Sequence, residues 1–159
     1  MQGETTDDAD FAILVVGSAR VVGDRLGAAV EAAGVDDMRG NYGYVIRCLA
    51  TGDRTLTELA QLLDVTKQAA IKVVDEMEAR GFLTREPHPT DRRAKVLRLS
   101  AKGQTVREAA LSASHSMERE LRARVGDADV DAFRRVTAAF LELHGALGDA
   151  TEGRARANW

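Results

Sequence analysis

Gln68 and Lys72 stand four residues apart in a stretch whose apolar residues, Ala70, Val73, Val74 and Met77, recur at i, i+3, i+4 and i+7. That spacing predicts a helix with a buried stripe centred near Ala70. Gln68 and Lys72 then face outward, with Ile71 and Ala69 on the two shoulders of the exposed face. These side chains suit the edges of nucleic-acid bases: Gln matches the N6/N7 edge of adenine, Lys reaches guanine or phosphate, and Ile packs on a thymine methyl. Thr66 and Lys67, at the helix start, are placed for phosphate, where the helix dipole also favours an anion. A second cationic group follows. Residues 83–102 hold Arg85, Arg92, Arg93, Lys95, Arg98 and Lys102 against Glu86 and Asp91. From charge alone the plainer reading is a solvated charged hairpin; the sharper one is a face for a polyanion.

Charge is unevenly placed along the chain. The net charge of −3 speaks against a nucleic-acid partner at first. Residues 1–53 carry −5, residues 54–102 carry +3 and residues 103–159 carry −1, so the basic excess is confined to the middle. The 159 residues include 26 Ala, 7 aromatics and two prolines, Pro87 and Pro89, which predicts long helices around an aliphatic core. The acidic opening lacks a basic n-region, so no secretory signal is expected. The strongest apolar stretch, 11–17, is too short to span a membrane, and the expected home is the cytoplasm. No nucleophile motif, phosphate loop or dinucleotide fingerprint occurs, so neither enzyme nor cofactor is expected.

The elements that position these residues follow from periodicity and punctuation. Apolar residues at Phe11, Leu14, Val15, Val22, Leu26, Ala29 and Val30 predict a first helix ending at Gly34. A second helix is predicted over 40–50, then a turn at Thr51-Gly52-Asp53. Thr55 and Glu58 fit a capping box that opens a short helix carrying Leu56, Leu59, Ala60 and Leu63. Thr66 caps the next helix, which ends at Gly81. Residues 82–85 and 95–99 read as a β-hairpin with a polar tip over 86–93. Helices over 101–125 and 128–147 complete the order, the former capped by Ser100.

Two helices joined by a tight turn and followed by a basic hairpin form the winged helix-turn-helix pattern. The fold class is therefore mainly α with a small β-wing. The chain divides into a mobile N-terminus (1–7), an N-terminal dimerisation helix (8–36), a winged helix-turn-helix lobe (37–100), C-terminal dimerisation helices (101–148) and a tail (149–159). The first helix and the last two are surplus to the lobe, and their apolar stripes predict burial against a second copy of the chain.

Residues 55–103 resemble the DNA-binding core of the MarR family of bacterial transcription regulators. The resemblance rests on Glu58-Leu59-Ala60, on Ala79-Arg80-Gly81 with the hydrophobic pair Phe82-Leu83, on Asp91-Arg92-Arg93 as a D-x-R wing motif, and on Leu99-Ser100 with Gly103. It implies a homodimer on a pseudo-palindromic site in double-stranded DNA, released by a small ligand or an oxidant. It further implies that Arg93 enters the minor groove, that Asp91 positions the wing arginine, and that Arg92 and Lys95 contact phosphate or groove. Three positions depart from the family pattern: Asp64 replaces a glycine in the turn, Ala70 a larger apolar residue, and Ile71 a small polar one. Aspartate tolerates a left-handed backbone, so the turn survives; Ala70 bears on how the helix packs, and Ile71 puts the preferred DNA sequence in question rather than DNA binding.

Other candidates carry two readings each. Arg39, Tyr42, Tyr44 and Arg47 either line a pocket for an anionic aromatic effector or divide into core tyrosines and surface arginines. Cys48 is read as a small core residue, with oxidation sensing as the alternative. His88, His115 and His144 lack metal-ligand spacing, so no metal is expected, and His88 is assigned to DNA or solvent. Trp159 packs in the dimer or lies free. A winged-helix module that binds protein rather than DNA is the alternative function.

Overall fold

Thr55 and Glu58 satisfy each other's backbones: the Thr55 hydroxyl accepts from the Glu58 N–H at 3.3 Å, and the Glu58 carboxylate accepts from the Thr55 N–H at 2.7 Å. This closed capping box fixes the start of the helix-turn-helix. The computed structural model describes residues 10–91 and 93–146. Its elements are α1 (Phe11–Ala32), α2 (Tyr42–Ala50), β1 (Arg54–Thr55), α3 (Leu56–Leu62), α4 (Lys67–Ala79), β2 (Leu83–Pro87), β3 (Lys95–Leu99), α5 (Ala101–Val125) and α6 (Asp127–Leu143).

The three strands form an antiparallel sheet in the order β1-β3-β2. Strand β1 is an addition to the sequence reading, which ran the turn at 51–53 straight into the Thr55 cap. Its two residues pair with β3 as Arg54 with Leu97 and Thr55 with Val96. They are too few to show any period, and their partner lies far along the chain. Strand β2 also reaches Pro87, opposite Lys95, which shortens the predicted tip. Proline is tolerated there because β2 is an edge strand. Helix α6 ends earlier than predicted: Gly145 turns the chain at φ +68°, with its N–H on Glu142 C=O. Leu147, the segment 1–7 and the tail with Trp159 lie outside the described residues.

The core sits between α2, α3, α4, the sheet and the start of α5. Tyr42, Leu59, Leu63, Met77, Phe82, Leu83 and Leu97 are its largest fully buried side chains. Tyr42 and Phe82 meet edge-on at 5.3 Å. Outside this core α1 packs along α5, and α5 against α6. Arg25 of α1 clamps Glu120 of α5 through two bonds of 2.6 and 2.7 Å. Phe11 of α1 meets Phe140 of α6 at 6.2 Å. These helices leave a broad apolar surface in water, including Phe11, Ile13 and Val16 on α1 and Phe133, Val136 and Leu143 on α6. No helix among the described residues is long and apolar enough to cross a membrane.

Candidate nucleic-acid interface

The turn between α3 and α4 is made by Asp64, whose φ is +52°. Its N–H bonds Gln61 C=O at 3.2 Å, and the next N–H, of Val65, reaches Ala60 C=O at 3.1 Å. This is the double bond of a Schellman helix end, with an aspartate in the left-handed position that glycine usually fills. Thr66 then starts α4 by accepting the Ala69 N–H at 3.2 Å. Ala70, Val73, Val74 and Met77 are buried. Thr66, Lys67, Gln68, Ile71 and Lys72 are exposed, and Ala69 is half-buried. At the far end Gly81, at φ +78°, makes the same double closure, with its own N–H on Glu78 C=O and the Phe82 N–H on Met77 C=O. The outward face of α4 is thereby held rigidly at both ends.

Half of the basic residues in 83–102 turn out to be structural. Arg85 of β2 bonds Glu78 and, at 2.5 Å, Asp75, both on α4, and so ties the wing to that helix. Arg98 of β3 bonds Asp53 at 2.5 Å and Glu86 at 2.6 Å. Its guanidinium holds the Asp53 carboxyl below the usual carboxylate range. Lys102 bonds Asp37 at 2.8 Å and Arg80 C=O at 3.1 Å, and lies 4.2 Å above the Phe82 ring. It too holds its carboxylate partner low. Arg93 and Lys95 are exposed, and neither side chain makes an ion pair or hydrogen bond among the described residues. Arg92 lies outside the described residues. Asp91 Oδ1 accepts the Arg93 backbone N–H at 2.9 Å, so the D-x-R spacing closes a local turn that sets the direction of Arg93.

The strand-to-helix join explains a glycine that sequence reading reached only through resemblance. Ser100 caps α5 by accepting the Gly103 N–H at 3.2 Å, while its own N–H bonds Phe82 C=O at 3.0 Å. A Cβ on Gly103 would press directly on that Phe82 carbonyl oxygen and lie 3.1 Å from Leu99 Cδ2. The absence of a side chain lets α5 sit against the start of β2.

Of the four residues offered as a pocket, Arg39 and Tyr42 meet at one carboxylate, that of Glu76. Tyr42 is fully buried in the core and its hydroxyl donates to Glu76 of α4 at 3.3 Å. Arg39 bonds the same carboxylate at 3.1 Å. Tyr44 packs partly buried on the core, and Arg47 is exposed. Cys48 is buried, and burial pushes its thiol up, away from the thiolate that oxidation requires. His115 lies on α5, and the His144 ring meets that of Phe140 at 4.7 Å, tilted by 60°. His88, assigned to DNA or solvent, is half-buried and accepts hydrogen bonds from the wing-tip backbone at Nδ1. The run His88-Pro89-Thr90-Asp91, a side-chain acceptor just before a turn, was the available signal.

The comparisons with known proteins agree with this geometry. Residues 36–94 match the family model described as MarR family. A Thauera aromatica protein named for transcriptional regulation of the hcr operon is 31% identical over 90 residues, 57% of this chain and 54% of that protein. The match thus spans about half the length of that relative. Among solved structures, the transcriptional repressor CouR bound to a 23-mer DNA duplex is similar with a TM-score of 0.62 at 21% identity, covering 88% of this chain and 98% of that one. RV1404 from Mycobacterium tuberculosis is similar with a TM-score of 0.68 at 19% identity, covering 87% and 97%. Matching helix order, the three-stranded wing and the paired N- and C-terminal helices show the same fold. Residues 36–94 thus match the MarR family model, and the whole described chain has the winged-helix fold of these similar structures.

Proposed function

We propose that this protein represses transcription as a homodimer bound to a pseudo-palindromic operator, with α4 in the major groove and the wing in the minor groove. One observation carries the reading: the cations of α4 and of residues 83–102 divide into two sets. Arg85, Arg98 and Lys102 are neutralised by carboxylates of the chain itself. Lys67, Lys72, Arg93 and Lys95 have no such partner among the described residues and lie exposed. Cations left unpaired on a rigid helix face and a hairpin tip suit phosphate and groove edges. Gln68 and Ile71 share the helix face and supply base contacts. Arg93 suits a narrow A·T-rich minor groove, whose potential attracts an inserted guanidinium. The CouR structure, a repressor of this fold held on duplex DNA, supports both the docking and the direction of regulation.

The apolar surface of α1 and α6 supports the homodimer. Phe11, Phe133 and Leu143, 64%, 62% and 80% exposed, are of the kind that a monomer does not leave in water. Release by a small anionic aromatic effector is supported by Arg39. Its bond to Glu76 on the back of α4 is one that an anion could take over, with a direct effect on the reading helix.

Duplex binding over a salt series tests the reading. Lys67→Ala and Lys72→Ala each reduce the steepness of log K against log salt by about 2, one phosphate contact being lost from each protomer. A salt-insensitive wild type, or slopes unmoved by both variants, overturns it.

A further inference from the structure

The wing tip is built around the ring of His88. This residue is half-buried, whereas Pro87, Pro89, Thr90, Asp91 and Arg93 around it are exposed. Its Nδ1 lies 3.1 Å from the Asp91 backbone nitrogen and 3.3 Å from that of Thr90. The Thr90 hydroxyl is also 3.3 Å away. Both backbone groups are donors, so Nδ1 must offer its lone pair, and the proton of the neutral ring sits on Nε2. Asp91, held by its N–H, passes the order on. Its carbonyl accepts from the Ala94 N–H at 3.1 Å and its Oδ1 from the Arg93 N–H at 2.9 Å. The hairpin closes with the His88 N–H on Ala94 C=O at 3.1 Å. An unbroken run of bonds thus leads from the imidazole to the backbone of Arg93.

We infer that His88 is a positioning residue for the wing: its neutral Nε2–H form holds the turn that presents Arg93 to DNA, and protonation of the ring releases that turn. The inference rests on the proposed role of Arg93 in the minor groove. The imidazolium carries N–H on both nitrogens and accepts nothing, so the Thr90 and Asp91 N–H groups would face a third donor. Charges around the ring do not replace the lost acceptor. Asp91 and Arg93 flank it within the tip. From α3 comes Glu58, whose carboxylate is held low first by the Thr55 N–H and hydroxyl, then by Arg54 of β1 and last by His88 itself. Glu58 and Asp91 attract a charged ring, but Asp91 Oδ1 is already occupied by the Arg93 N–H, and the Glu58 carboxylate by Thr55. Acidification therefore disfavours the ordered tip, and DNA affinity should fall with it.

Two measurements on the full chain test this. Long-range 1H–15N correlation of the imidazoles reads the tautomer without DNA; the expected result is an unprotonated Nδ1 in neutral buffer, with Thr90 and Asp91 amide resonances that shift as the ring titrates. Fluorescence anisotropy with a duplex selected from a random pool then reads affinity from about pH 8 to about pH 5.5. The wild type should lose roughly tenfold beyond any change in His88→Asn, because the Asn Oδ1 accepts the same N–H groups at every pH. His88→Ala should be weak and nearly flat over that interval, as should Arg93→Ala. A protonated Nδ1 in neutral buffer, or a His88→Asn profile that follows the wild type, overturns the inference. An Arg93→Ala variant that binds like the wild type instead overturns the role of the wing, and the tautomer still decides whether His88 holds the turn.

Discussion

Replacing Gly103 by alanine should destabilise the lobe although it puts a better helix former into α5. The built Cβ falls far inside the 3.0 Å below which real Cβ atoms are essentially never found, and the atom it meets is a backbone oxygen, that of Phe82. Leu99 Cδ2, at 3.1 Å, lies in the neighbouring direction. Leu99 can rotate its methyl group aside, but the Phe82 oxygen is backbone and cannot, so α5 must move away from the start of β2. Overpacking against a fixed neighbour costs about 3 kcal/mol at the upper end of its usual range. The movement also strains the Ser100 N–H bond to the same Phe82 oxygen, 3.0 Å long, worth about 1 kcal/mol. Against these stands a gain of about 1 kcal/mol in helix propensity. The net loss is about 3 kcal/mol, or a fall in Tm of roughly 6–12 °C for a domain of this size. Urea and thermal unfolding followed by circular dichroism measure it. Gly43→Ala is the control: that glycine lies exposed on α2 with nothing within 4 Å of a built Cβ, so only the propensity gain applies. A Gly103→Ala protein as stable as Gly43→Ala would refute the packing argument for the join.

Outcomes at four further sites follow from the same geometry. Asp64→Gly should stabilise by roughly 1 kcal/mol, since φ +52° suits glycine, and Asp64→Ala should destabilise by a similar amount; chemical denaturation reads both. Glu58 is held low by the Thr55 N–H and then its hydroxyl, so its contribution to stability is complete above the usual carboxylate range and is lost as pH falls through its lowered value. Thr55→Ala should therefore cost about 1 kcal/mol near neutrality, a gap that narrows in acid denaturation curves. Gln68→Ala should lose roughly 1–3 kcal/mol on the preferred duplex with little change on random DNA, whereas Arg93→Ala should weaken operator binding roughly tenfold with the dimer still folded. Equal losses for Gln68→Ala on both duplexes would show that this side chain does not read bases.

Local rules carried most of the helix-turn-helix. The stripe Ala70, Val73, Val74 and Met77 repeats at the helical period, the Thr55–Glu58 box announces its own helix, and Gly81 marks its own stop. What the sequence could not display was pairing at a distance. Strand β1 exists only because Arg54 and Thr55 meet β3, some forty residues on. The wing looked mainly basic because, Glu86 apart, the carboxylates that pair its cations, Asp37, Asp53, Asp75 and Glu78, come from outside the segment. Tyr42 illustrates the same limit: beside two arginines it reads as a pocket wall or as core, and only tertiary packing shows it buried against Phe82. Asp64 was the opposite case, where tolerance of a left-handed backbone, a property of the residue itself, anticipated the turn.

The division of cations into paired and unpaired sets is tested most directly by anisotropy of the purified protein on the intergenic DNA beside its own gene, with random duplex as control, over a salt series. Tight, salt-sensitive binding to the intergenic duplex, well above the control, is the predicted result. Weak binding to both duplexes, unchanged by salt, would contradict the assignment of Lys67, Lys72, Arg93 and Lys95 to a DNA-binding face.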